Sequence, residues 1–286
     1  MQRKNYADRS VSLGLGFIWL LWGGGLIILL VWLYANFSLE FLFSSNGWFY
    51  LSASLLGYAV AAGVVFAFGL IDDLAGTAAS RGFRGHLKAL AHGKITTGAV
   101  KLFGIGITAL LFAYFLLPFS VGAVEIIAAL LFGGAVALSA NFVNLCDLRP
   151  GRATKVSILM LVIGLFIGVV SALIKGGGGI DSASLSTNLL NELAMFLVFL
   201  LPMLITLPYD LRERGMLGDA GANPSGFIAG AYLATRLGLI GLIIFFVVML
   251  ALNLASERFS FTRVIEKNPL LSRLDQIGRI RNGKTD

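Results

Sequence analysis

The chain has 286 residues, 57% of them hydrophobic and 13% charged, with a formal net charge of +7. An average soluble domain carries roughly 25% charged residues, so an ordinary water-soluble domain is excluded. A lone cysteine, Cys146, excludes an internal disulfide and says nothing of compartment.

The apolar residues come in long uncharged blocks, beginning with Leu13–Tyr34 and Phe49–Ile71. Runs of this length read as membrane-spanning helices, because the hydrocarbon core is about 30 Å thick and a helix rises about 1.5 Å per residue. Helices also satisfy their own backbone hydrogen bonds in lipid. Barrel strands would alternate polar and apolar residues, and these blocks do not. The first block is too long and too Trp-rich for a cleaved signal peptide, and no small-residue cleavage pattern follows it. Eight spans are expected, at about 11–34, 48–70, 99–117, 122–143, 156–174, 192–208, 224–237 and 238–256. A tight turn at Pro118–Gly122 joins the third and fourth, and the Gly-rich stretch Lys175–Ser186 is expected to be a flexible loop. Residues 257–286 form a tail, and no internal repeat or soluble domain interrupts the chain. The expected fold is all-α: one polytopic membrane helix bundle of about eight transmembrane helices over residues 1–286.

Lys and Arg set the orientation. With eight spans both termini share a side, and 20 of the 22 basic residues fall on it, leaving Lys175 and Arg236 opposite. That places the termini and the basic loops in the cytoplasm and the protein in the plasma membrane. The same charges suit anionic lipid or an anionic substrate. Nucleic acid is a poor partner, because the basic residues are divided among separate loops.

Two segments on that side are amphipathic. Phe83, Leu87, Leu90 and Ala91 share a helical face that Gly93 could end. In the tail, Asn268 caps and Pro269 starts a helix carrying Leu270, Leu271, Leu274 and Ile277 on one side. Both are expected at the membrane interface.

Charged groups at span ends cost free energy unless paired, hydrated or metal-bound. Three polar clusters fall on the cytoplasmic side: Gly69–Asp73 closing the second span, Asn141–Arg152 closing the fourth, and Leu217–Gly221 opening the seventh. Their four carboxylates, Asp72, Asp73, Asp147 and Asp219, with nearby Asn and basic residues, suit Mg²⁺ and phosphate. Mg²⁺ takes oxygen ligands, usually one or two carboxylates plus phosphate oxygens, and Lys and Arg neutralise the remaining charge. Each cluster also has a plainer reading. The Asp pair could be a hydrated helix end, Asn141 and Asn144 inter-helix hydrogen-bonding residues, and Gly218-Asp219 a turn. Lys88 and Lys101 could be orientation charges, His86 and His92 interfacial residues, and Cys146 a packing residue.

In order, side and spacing the three clusters resemble the polyprenyl-phosphate N-acetylhexosamine-1-phosphate transferases, which include the phospho-MurNAc-pentapeptide translocase. That family carries Gly-x-x-Asp-Asp after a span, matched by Gly69–Asp73. It carries Asn-x-x-Asn-Leu-x-Asp-Gly-x-Asp-Gly-Leu, matched at Asn141, Asn144-Leu145, Asp147 and Gly151. It carries Gly-Asp-x-Gly-Ser, matched by Gly218–Gly221, and Gly14-x-Gly16 looks like its Gly-rich entry motif. The resemblance covers roughly residues 10–256. Pro150 stands where the family has its second Asp, Leu148 and Arg149 replace Gly and a neutral residue, and Ala222 replaces Ser. The translocase's run of three histidines is absent, which argues against the translocase itself, and the chain looks shorter than the family's usual ten or eleven spans.

The resemblance implies transfer of a sugar-1-phosphate from a UDP-sugar to polyprenyl (undecaprenyl) phosphate, releasing UMP, at a cytoplasmic-face active site. It implies Mg²⁺, or Mn²⁺, on Asp219, with Asp72 or Asp73 holding the metal or positioning the lipid phosphate. Asn144 and Asp147, with Asn141 beside them, would bind the nucleotide-sugar diphosphate or orient the metal ligands, and Lys88 is the best match to a phosphate-contacting Lys. Arg149, Arg152 and Arg279 are added as substrate-binding residues on charge alone. The implied partners are the lipid, the UDP-sugar and the membrane, and a homodimer is compatible with them. Two other classes stay open: a catalytically weak relative that binds polyprenyl phosphate or nucleotide as a sensor, and a transporter. A transporter would want charged or broken helices at mid-membrane, whereas these clusters sit at one surface.

Overall fold

A computed structural model describes residues 2–4, 10–36, 46–76, 85, 89–116, 122–177 and 182–279. A small antiparallel ladder pairs β1 (Gln2–Lys4) with β2 (Ser10–Ser12), and a 3-10 turn at Gly14–Gly16 leads into the helices. Eight long helices follow: α1 (Phe17–Asn36), α2 (Asn46–Ala75), α3 (Thr97–Leu116), α4 (Ala123–Cys146), α5 (Arg152–Gly177), α6 (Ser182–Leu211), α7 (Gly218–Ala234) and α8 (Leu239–Ser256). Two short tail helices close the described chain, α9 (Phe261–Lys267) and α10 (Pro269–Gln276). The architecture is the expected all-α polytopic bundle.

Seven of the eight long helices are long and apolar enough to cross a membrane; α7 is the exception. The expected span at 224–237 is displaced: its helix starts at Gly218 and takes in Pro224. Seventeen residues at about 1.5 Å each make a helix of roughly 26 Å. Such a helix need not match the bilayer, because every residue from Ala220 to Ala234 is buried among α2, α4 and α5. Its composition is Gly, Ala and Ser around a few large side chains. In an apolar medium helices associate through close packing of such residues and through inter-helix hydrogen bonds. The α4–α7 seam shows how close: a Cβ added at Gly226 would lie 2.6 Å from the Ser139 carbonyl oxygen and 2.8 Å from Ala140 Cα.

Aromatic rings fill the middle of the bundle. Tyr58 of α2 lies 4.8 Å from Phe112 of α3 and 4.5 Å from Phe199 of α6, ring centre to ring centre. Phe199 continues to Tyr232 of α7 at 5.6 Å, and Phe112 to Phe227 at 5.5 Å. Trp19 of α1, fully buried, donates through Nε1 to Ser225 Oγ at 2.9 Å and ties the first span to α7. Such ring pairs contribute about 0.5–1.5 kcal/mol each beyond area.

The two ends of α7 are fixed differently. At its C-terminal end, Arg236 donates from Nε and Nη2 to Glu192 Oε2 of α6 at 3.0 and 2.9 Å. The guanidinium also stacks 3.8 Å over the Tyr232 ring. Its N-terminal end is held by carboxylates of α2 and of the α4–α5 turn, so α7 runs between opposite ends of the bundle.

Other boundaries move for local reasons. Helix α2 carries on through Asp72 and Asp73 to Ala75, so the Asp pair lies within its last turns and not after them. Helices α5 and α6 extend to Gly177 and from Ser182, leaving 178–181 of the expected Gly-rich loop outside the described residues. The Pro118–Gly122 turn lies outside them apart from Gly122. In the tail, Asn268 accepts from Leu270 N and Leu271 N at 3.0 and 3.1 Å with Pro269 in the first turn, as its cap-and-proline order predicts. Gly93 takes φ +71° and donates to the Leu90 carbonyl, ending a helical turn as expected. Phe83 and Leu87 of that segment lie outside the described residues.

Candidate functional site

The three sequence clusters converge on the N-terminus of α7. A helix start leaves N–H groups without intrahelical acceptors, and at α7 these come from distant helices. Asp73 Oδ1 accepts from Asp219 N at 3.1 Å, and Asp73 Oδ2 from Ala220 N at 2.9 Å. Asp147 Oδ2 accepts from Gly218 N at 2.9 Å. Carboxylates at this end also complement the positive pole of the helix. Gly218 takes φ +64°, and a Cβ there would lie 2.8 Å from Asp73 Oδ2, so the backbone meets its cap only as glycine. Asn223 Nδ2 donates to the Asp219 carbonyl at 2.7 Å, within the turn that Pro224 interrupts.

Beside these caps sits an ion triad. Lys101 Nζ of α3 lies 2.6 Å from Asp72 Oδ2 of α2 and 2.5 Å from Asp219 Oδ2 of α7. The three side chains keep 13–17% of their surface, so the triad borders solvent without lying open to it. Of the four carboxylates, Asp73 and Asp147 therefore hold the backbone of α7, while Asp72 and Asp219 face a cation.

Asp147 lies in the turn between α4 and α5, buried. Burial raises its carboxyl well above the ordinary carboxylate range, the neighbouring Asp210 charge adds to the rise, and the Gly218 N–H offsets part of it. Asp210, in the last turn of α6, is 2% exposed, and its Oδ2 has no hydrogen-bond partner among the described residues. The Ser157 hydroxyl of α5 is likewise buried without a hydrogen-bond partner there.

The arginines assigned by charge are engaged by the tail. Arg152 donates from Nε and Nη2 to Asp275 at 2.9 and 3.0 Å and from Nη1 to Thr262 Oγ1 at 3.1 Å. Arg279 pairs with Asp275 at 2.9 Å and donates to the Pro150 carbonyl at 3.1 Å. Arg149 pairs with Glu266 at 2.7 Å. Lys155 Nζ donates to the Asp275 carbonyl at 2.8 Å. Burial opposes ionisation of Asp275, but the hydrogen bonds and charge of Arg152, with Arg279 and Lys155, outweigh it and hold the carboxyl below its usual range.

Asn141 Nδ2 donates to Asn253 Oδ1 of α8 at 2.6 Å, an inter-helix contact. Asn144 is half-buried one turn further on, its carbonyl accepting from Asp147 N. Lys88 and His86 lie outside the described residues. From the sequence Lys101 could be an orientation charge, and no motif singles out Asp210, Asn253 or Asp275. Lys101 had a usable signal: a charge one turn inside a span needs a partner. Asp210 lies just past the expected end of the sixth span and inside the last turn of α6.

Among the described residues no group of three or more His, Cys, Asp or Glu is gathered as a metal site. The oxygen donors at the triad are the carboxylates of Asp72 and Asp219. That set suits Mg²⁺, which takes one or two carboxylates and completes its shell with water and phosphate. Below the triad, on the same two helices, Leu56, Val60 and Val64 of α2 and Leu111, Phe112 and Phe115 of α3 line an apolar crevice of about 380 Å³. Val64 is eight residues before Asp72, about 12 Å along the helix. Comparison of the chain with protein-family models, with curated proteins and with solved structures finds no match.

Proposed function

We propose that this protein transfers a sugar-1-phosphate from a UDP-sugar to polyprenyl phosphate, giving the lipid diphosphate-sugar and UMP at the cytoplasmic face of the plasma membrane. The observation that carries the reading is the meeting of Asp72, Lys101 and Asp219, from three separate helices, beside the capped N-terminus of α7. The apolar crevice along α2 and α3 supports it, since a lipid substrate needs its phosphate at the surface and its chain in the membrane.

Asp219 and Asp72 would hold Mg²⁺ through their carboxylate oxygens. When bound, the ion would neutralise phosphate charge and stabilise the UMP leaving group. Asp73 and Asp147 fix the first turn of α7 and so orient Asp219. Lys101 would donate to a phosphate oxygen while keeping the two carboxylates from repelling each other. The acceptor phosphate is already ionised, so no strong general base is required, and alignment of two anions is the main task.

Purified protein in detergent, given undecaprenyl phosphate, Mg²⁺ and a panel of UDP-sugars, is expected to release UMP with one donor, only with lipid and metal present. Asp219→Asn is expected to abolish release while the protein stays folded. A second reading, a non-catalytic relative that binds the lipid, is favoured by Pro150 and by the ammonium of Lys101 bridging both candidate metal ligands. Lipid binding without turnover across the panel would select it.

A further inference from the structure

The tail is held to the bundle in an unusual way. Neither α9 nor α10 has a single buried residue. What fastens them is mostly polar: Asp275 to Arg152, Glu266 to Arg149, Arg279 to the Pro150 carbonyl, and Lys155 to the backbone at 274–275, with one apolar contact, the Phe261 ring edge-on to Phe142 of α4 at 5.9 Å. The leucines of α10 face outward instead. Leu270 is 66% exposed and Leu274 50%. Nothing in the bundle explains these leucines.

Their arrangement on α10 is ordered. At about 100° per residue, Leu270, Leu274 and Leu271 cover an arc of about 100°. Asp275 lies on one flank of that arc and Arg273 on the other, and Ser272 and Gln276 lie opposite. The Asp275 flank is tied to the first turn of α5, where a span enters the membrane. The tail itself begins where another span, α8, leaves the membrane at Ser256. A short helix tethered at both points lies at the membrane surface. Its apolar arc can then enter the lipid while its polar side stays in water.

We propose that α9 and α10 form a strap whose apolar arc seats in the headgroup layer of an anionic bilayer, and that this seating holds Asp275 on Arg152 above the Asp147 turn. The charge pattern selects anionic lipid: Arg263, Lys267 and Arg273 are all exposed on the strap. Basic side chains at a lipid surface are attracted by acidic headgroups within about a Debye length. A second copy of the chain fits poorly. A stable protein interface buries about 1,200–2,000 Å², more than an eight-residue helix with three leucines offers, and like-charged basic side chains would face each other across it. The proposal does not depend on the transferase reading.

The test places nitroxide labels on full-length protein in nanodiscs of phosphatidylcholine, with or without phosphatidylglycerol. The labels are carried by Leu270→Cys and by Gln276→Cys, both exposed positions, with unsubstituted protein as the blank because Cys146 is buried. In the anionic discs the 270 label is expected to collide more with oxygen than with a water-soluble nickel chelate, and the 276 label the reverse. Replacing Arg263, Lys267 and Arg273 with Gln, or omitting phosphatidylglycerol, is expected to shift the 270 label toward the chelate. A chelate-accessible 270 label in anionic discs overturns the proposal. Equal immersion with and without phosphatidylglycerol overturns the choice of anionic lipid. A 270 label shielded from both reagents, more so at higher protein-to-lipid ratio, overturns it in favour of a second copy.

Discussion

Replacing Lys101 with Met tests the ion triad directly. Met keeps most of the apolar stem and removes the ammonium, so packing changes little while Asp72 and Asp219 are left facing each other. Breaking a buried ion pair by deleting one partner typically costs about 3–5 kcal/mol, because a charge is left uncompensated. These three side chains retain 13–17% exposure, and water supplies part of the lost solvation, so the low end applies, about 3 kcal/mol. For a chain of this size that is a fall in thermal midpoint on the order of 6–10 °C. The assay is intrinsic-fluorescence unfolding in detergent, with and without millimolar Mg²⁺. Mg²⁺ is expected to restore more of the midpoint in Lys101→Met than it adds to the parent, since two carboxylates without a cation bind it more tightly. Adding Asp72→Asn to Lys101→Met removes the repulsion and is expected to recover most of the loss, a coupling that only neighbours show. A Lys101→Met midpoint equal to the parent, or a double variant no better than the single one, would refute the triad as described.

Gly226→Ala presses a methyl against the Ser139 carbonyl and Ala140 Cα and is expected to cost about 1–3 kcal/mol by thermal unfolding. Gly63→Ala, where an added Cβ meets nothing within 4 Å, is expected to be neutral or to stabilise by about 0.5–1 kcal/mol. The raised carboxyl of Asp147 means the folded state holds that proton more tightly than the unfolded state. Its contribution is therefore complete below the ordinary carboxylate value and is lost as pH rises toward the raised folded one. Asp147→Asn should flatten the thermal midpoint against pH over that window, and an unchanged slope would count against the cause given. Glu192→Gln leaves the Arg236 guanidinium, 8% exposed, without its counter-charge, and a loss of about 2 kcal/mol is expected by the same unfolding assay.

The fold was largely legible because lipid imposes a simple rule. A chain that crosses the hydrocarbon must write a long uncharged block, and seven helices do so. The tail helix was legible for another reason: Asn268-Pro269 is a local cap signal, and the cap forms within four residues of sequence. What local reasoning misplaced was α7. Its true start, Gly218-Asp219-Ala220-Gly221, contains Gly and a charge, and Pro224 looks like a helix start. Those residues are helical because their N–H groups are satisfied by Asp73 and Asp147, far away in sequence. No window along the chain contains that information.

The site divides along the same line. Its residue types and common face could be read from the sequence, since charges at span ends demand a reason. How the charges are spent could not, because each partner comes from a different helix. The adjacent residues Asp72 and Asp73 illustrate it: about 100° apart on α2, one meets Lys101 and the other caps α7. The arginines make the converse case. Counted along the chain, Arg152 and Arg279 are positive charge available to an anion. In the fold both converge on the one carboxylate of Asp275, so part of the positive field they would lend a substrate is neutralised while the tail is docked. An anion at the Asp147 turn must therefore compete with a carboxylate already in place, and Lys101 is the basic side chain that directly meets the carboxylates at the mouth of α7.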